Sequence, residues 1–66
     1  MKTTRIIRDY ATGQAIGEIE MSDATYARYV RESDRDTGAI KAGDLCYGHV
    51  VWSDMPEDDC TVYIEE

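Results

Sequence analysis

Three side chains with metal-ligand chemistry stand in the second half of the chain: Cys46, His49 three residues on, and Cys60. Thiolate and imidazole are zinc donors, and Asp58 or Asp59 would complete the set. Strand periodicity works against a shared centre. Residues of opposite parity in a strand point to opposite faces, which separates Cys46 from His49. Cys46 instead shares parity with Val50 and Trp52, and Cys60 with Val62 and Ile64, so both read as inward, free thiols without metal. A disulfide between them requires their strands to be neighbours. His49 has no nucleophile or second positioned group beside it in sequence, so general-base chemistry has no support. The acids Glu57, Asp58 and Asp59 lack the alternating oxygen ligands of a calcium loop. Gly13 and Gly17 are followed by neither a helix start nor a Lys, so they form no phosphate-binding loop. No catalytic residue and no cofactor is expected.

What does stand out is charge. The chain has 66 residues, 7 basic and 14 acidic, for a net charge of −7. Residues 1–41 hold every base, namely Lys2, Arg5, Arg8, Arg28, Arg31, Arg35 and Lys41, and are balanced by seven acids. Residues 42–66 hold Asp44, Asp54, Glu57, Asp58, Asp59, Glu65 and Glu66 with no Lys or Arg. A field of this sign repels nucleic acid and anionic membranes and attracts basic protein surfaces. Keeping a small protein dissolved is the plainer use of the same residues. The arginines of the helix could face phosphates, but the net charge and the lack of interleaved aromatics argue against direct nucleic-acid binding.

The elements that must position these groups are legible in outline. Thr3 to Tyr10 is rich in β-branched residues, and Ala15 to Met21 alternates, with Gly17, Ile19 and Met21 on one parity and Ile16, Glu18 and Glu20 on the other. Gly13 between them suits a hairpin turn, so a hairpin spans residues 3–21. Ser22 reads as a helix N-cap with Asp23 in the first turn, and Met21 and Tyr26 are spaced as a hydrophobic staple. The helix runs over 23–35, with Tyr26, Tyr29, Val30 and Ser33 on one stripe and Gly38 as its stop. Residues 39–44 read as a connector. Residues 46–52 read as a strand, 53–59 as an exposed acidic loop around Pro56, and 61–64 as a closing strand with Val62 and Ile64 inward. The most buried side chains are expected to be Ile19, Val30, Trp52, Val62 and Ile64.

The order is ββαββ, a small single α+β domain over residues 1–66 with one helix on a mostly antiparallel sheet. It resembles the β-grasp pattern in element order, but ends Ile64-Glu65-Glu66 rather than in the Gly-Gly that conjugation needs. The apolar runs are far shorter than the ~20 residues of a membrane span. Arg8 and Asp9 interrupt any apolar region of a signal peptide, and the two Cys are too few for a secreted disulfide scaffold. A cytoplasmic location is therefore expected. So small a chain leaves little room to enclose a catalytic pocket.

In size and charge the chain is similar to the small acidic phage-encoded inhibitors of the DNA-mimic and anti-CRISPR type. That resemblance implies a non-enzymatic protein-binding module that docks its acidic C-terminal half on a basic, nucleic-acid-binding surface of a partner. The contact residues expected are Asp44, Asp54, Glu57, Asp58, Asp59, Glu65 and Glu66, with Tyr10, Tyr47 and Tyr63, outward by parity, as anchors. A housekeeping or toxin–antitoxin-type accessory protein and a small Cys/His metal-binding protein are the alternatives.

Overall fold

The β-branched run near the N-terminus extends the chain into β1 (Lys2–Asp9), and the alternating segment forms β2 (Ala15–Ser22). The computed structural model in which they are seen describes residues 1–33 and 37–65. The turn between them closes on Gly13, which adopts a φ of +76° and donates its N–H to the Asp9 carbonyl at 2.7 Å. The Asp9 carboxylate accepts from the Ala11 N–H at 2.8 Å, an Asx-type brace.

The register runs from Lys2 opposite Ser22 to Ile7 opposite Gly17, then jumps to Arg8 opposite Ala15. Ile16 is the extra residue of this β-bulge. The irregularity corrects the alternation at one place: Ile16, outward by parity, is buried beside Gly17 and Ile19.

Ser22 caps α1 (Asp23–Glu32), its Oγ accepting from the Thr25 N–H at 3.2 Å. Met21 is buried and Tyr26 packs on the same cluster, as the staple requires. The helix is shorter than the expected 23–35. Ser33 turns extended and closes it by donating its N–H to the Tyr29 carbonyl at 2.9 Å. Gly38 takes a φ of +69°, but past that end and just before the next strand. Arg35, Asp34 and Asp36 lie outside the described residues.

The expected connector at 39–44 contains a short strand, β3 (Ala39–Lys41), and a 3-10 turn (Ala42–Asp44). The strand expected over 46–52 starts three residues later, as β4 (His49–Trp52). β5 (Thr61–Ile64) lies where the sequence placed it. The fold is α+β: one helix over a five-stranded sheet of order β3-β5-β1-β2-β4, every neighbouring pair antiparallel.

The core lies between helix and sheet and comprises Ile7, Ile16, Ile19, Met21, Tyr29, Tyr47, Val62 and Ile64. The Tyr29 hydroxyl stitches it together, donating to the Gly38 carbonyl and accepting from the Ile64 N–H at 3.1 Å. Ile19, Val62 and Ile64 are buried as expected, whereas Val30 is 47% exposed and Trp52 only partly buried. Val30 follows Tyr29 by one residue, which at 3.6 residues per turn swings it about 100° toward solvent. Trp52 sits on an edge strand, open on its outer side. Among the described residues no helix is long and apolar enough to cross a membrane.

Candidate protein-binding surface

β4 lies at one edge of the sheet and β5 lies beyond β1, so the chain joining them must cross the hairpin end. Residues 53–60 make that crossing and are held down by backbone bonds. The N–H groups of Ser53 and Asp54 donate to the Ile16 carbonyl at 3.0 and 3.1 Å. Gly43 donates to the Asp58 carbonyl at 2.9 Å and Ala42 to that of Cys60 at 2.8 Å. With its backbone fastened, the segment presents Asp54, Glu57, Asp58 and Asp59 to solvent, and the Gly43 bond brings Asp44 alongside. Asp54, Glu57 and Asp59 rim a shallow groove of about 410 Å³ walled by Met55, Pro56 and Cys60. Among the described residues none of these five acids has a salt-bridge partner.

Glu65 is not part of this band. Its N–H donates to the Ile6 carbonyl, and its carboxylate pairs with Arg8 at 3.2 Å. Glu66 lies outside the described residues. Tyr10 and Tyr63 stand as expected at the surface, Tyr10 exposed and Tyr63 half-buried, their rings edge to face with centroids 6.2 Å apart.

Tyr47 is a correction. It is only 8% exposed, its ring set edge-on to Tyr29 at 5.7 Å and its hydroxyl donating to Glu32 Oε2 at 2.7 Å. Residues 46–48 are not strand, so strand parity does not govern them, and the ring turns in beneath the helix. Burial pushes the phenol up to about 12, and the hydrogen bond to the Glu32 carboxylate and its charge act in the same direction. Tyr47 belongs to the core and not to a binding surface.

The thiols are far apart. His49 faces Glu20, which faces Thr4, whereas Cys60 directly precedes the strand whose Val62 faces Asp9. Thr4 and Asp9 are five residues apart on β1, roughly 17 Å at about 3.4 Å per residue. Cys46 and Cys60 therefore sit at opposite ends of the sheet, with neither a disulfide nor a shared metal within reach. Both are free, and Cys46 is exposed rather than inward because it precedes β4. Among the described residues no three His, Cys, Asp or Glu side chains are grouped to hold a metal ion. Burial raises the Cys60 thiol above its usual range, and the Asp9 carboxylate 3.7 Å away adds to the effect. His49 is exposed, and its imidazole makes no hydrogen bond among the described residues.

The sheet face away from α1 carries groups that the charge count passed over. Glu18 stands between Ile6 of β1 and Val51 of β4, and Glu20 between Thr4 and His49. Both carboxylates are exposed, and neither has a salt-bridge partner among the described residues. Ile6 and Val51 are 37% and 58% exposed beside them. A groove of about 340 Å³ runs between these two, with Ala15, Gly17, Glu18 and Ser53 completing its lining. The β2 alternation already set Glu18 and Glu20 opposite the core. They were hidden because residues 1–41 balance to zero as a sum.

Comparison with protein-family models, curated proteins and solved structures returns no match.

Proposed function

We propose that the chain is a non-enzymatic protein-binding module that inhibits by occupancy, docking its acidic end on a basic partner surface that otherwise contacts nucleic acid. The observation that carries this reading is the band of Asp44, Asp54, Glu57, Asp58 and Asp59 across the hairpin end, fastened through its backbone and unopposed by any base within residues 42–66. Carboxylates held on a fixed backbone act as a stand-in for a phosphate backbone without paired cations of their own. Such a field mainly accelerates encounter and selects partners. Tyr10, just past the end of β1, and Tyr63 of β5, their rings edge to face, supply the desolvated contact that slows release. A surface of 4451 Å² accommodates the about 800 Å² per partner of a standard interface within that end and the adjoining sheet face.

The test is capture of the partner from a cell lysate on the immobilised protein, identification by mass spectrometry, and association kinetics on the captured partner. The triple variant Glu57→Lys, Asp58→Lys, Asp59→Lys should associate more slowly than the parent at low salt, and nucleic acid should compete with the parent. A variant that associates as fast as the parent sinks the acidic-end reading. A ternary complex that keeps its nucleic acid sinks the mimicry.

A further inference from the structure

We infer that the open face of the sheet is a second contact of this same interface, and that it receives an arginine-bearing segment of the basic partner. The inference rests on the acidic-docking reading and extends it to residues outside the acidic half. An arginine arm needs two things side by side: an apolar strip for its methylenes and carboxylates for its guanidinium. Ile6 and Val51 form the strip, exposed on either side of Glu18. Glu18 and Glu20, two residues apart on the same face of β2, stand roughly 7 Å from each other. That spacing offers one guanidinium fork or two successive arginines a carboxylate each.

The face does not satisfy these charges itself. The cross-strand neighbours of Glu18 are Ile6 and Val51, and those of Glu20 are Thr4 and His49, none of them a fixed cation; Lys2, diagonal to Glu20 on the same face, makes no ion pair with it among the described residues. Arg8, the arginine of β1 on this face, is committed to Glu65 and to the Gly13 carbonyl at 3.0 Å. Arg5, on the opposite side, is held 4.1 Å over the Tyr26 ring and 3.3 Å from Asp23. The sign of the face also decides between occupants. A second copy would set Glu18 and Glu20 against their equivalents in a chain of net charge −7, and an anionic membrane or nucleic acid meets the same repulsion. The groove at Ile6 and Val51 reaches Ser53, where the acidic crossing begins, so the two contacts form one continuous surface.

The experiment titrates the isotope-labelled protein with an oligo-arginine peptide and follows backbone amide resonances, with oligo-lysine as the second probe. Perturbation should centre on Thr4, Ile6, Glu18, Glu20, His49 and Val51, and oligo-arginine should bind more tightly than oligo-lysine. The pair Glu18→Gln, Glu20→Gln should weaken oligo-arginine by about tenfold. The pair Asp58→Asn, Asp59→Asn, which removes the same charge from the crossing, should weaken it less. Val51→Ser changes no charge and lies at the surface, yet it should weaken binding by about threefold, which a field alone does not do. Perturbation confined to residues 54–59, or equal losses from the two neutralised pairs, overturns this inference and leaves the acidic-end reading standing. Failure of both peptides to bind at low salt overturns both readings. A concentration-dependent dimer whose resonance shifts map to Ile6 and Val51 overturns the arginine occupant in favour of a second copy.

Discussion

Tyr29 and Tyr47 each tie α1 to another part of the chain through one hydroxyl. Tyr29 reaches the Gly38 carbonyl and the Ile64 N–H, and Tyr47 the Glu32 carboxylate. Tyr47→Phe leaves an exposed carboxylate that water can satisfy, so it should cost only about 1 kcal/mol, seen as a melting temperature lower by about 4–8 °C. Tyr29→Phe strands the buried Ile64 N–H and frees the part-buried Gly38 carbonyl, and should cost about 2 kcal/mol. Both phenols ionise above their usual value of 10.0, Tyr47 at about 12. The folded state therefore holds their protons more tightly than the unfolded chain. The stability they add is complete below pH about 10 and is lost as pH rises through the folded values. An absorbance titration should show Tyr29 and Tyr47 ionising late, and denaturant should erase the lag. The thiols should separate in the same way. Cys46, exposed, should alkylate quickly in the native protein, and Cys60, raised by burial and by Asp9, slowly. Equal rates by peptide mapping would contradict that assignment.

At the scale of elements, the sharpest constraint is where the chain enters β4 against β2. A Cβ on Gly48 would run into the Glu20 carbonyl oxygen and lie 3.3 Å from Met21 Cβ. The obstacle is strand backbone and cannot swing aside, so Gly48→Ala should destabilise by about 2 kcal/mol, read as a lower urea midpoint. The hairpin, the Ser22 cap and β5 were legible because each is specified locally, by a turn glycine, a capping hydroxyl and a period of two. β3 was not, because Ala39-Ile40-Lys41 is too short to show a period and is a strand only through its pairing with β5. The inward turn of Tyr47 and the bulge at Ile16 were illegible for a related reason: both depend on partners distant in sequence. Of the candidate surface, the acidic crossing could be read from composition. Glu18 and Glu20 could be read only by asking which face of β2 each residue takes, because Lys2, Arg5 and Arg8 cancel them in a sum while both arginines are engaged elsewhere.

For the molecule as a whole, the separation of its charge governs encounter more than stability. The field is screened over about 8 Å at physiological ionic strength, so association with a basic partner should slow steeply as salt rises. Reversing Glu57, Asp58 and Asp59 to Lys should slow low-salt association by about tenfold or more. Because these carboxylates are exposed and unpaired among the described residues, the melting temperature should stay unchanged or rise as mutual repulsion is relieved. A variant that unfolds at markedly lower temperature would mean that the crossing segment is held by its side chains and not by its backbone.

The place of β5 between β3 and β1 bears on how fast the molecule assembles. The β1–β2 hairpin can zip in about 1–10 μs, since its partners are close along the chain. The pairing of β1 with β5 joins positions as far apart as Arg8 and Glu65, separated by 57 residues, and must wait for that long loop to close. Refolding should therefore take milliseconds to seconds rather than microseconds. In a stopped-flow chevron, Ile19→Val should slow refolding because it weakens the early hairpin, whereas Ile64→Val should act mainly by speeding unfolding. If Ile64→Val slows refolding as much as Ile19→Val, the last-paired strand is already docked at the barrier and the nucleus spans both ends of the chain.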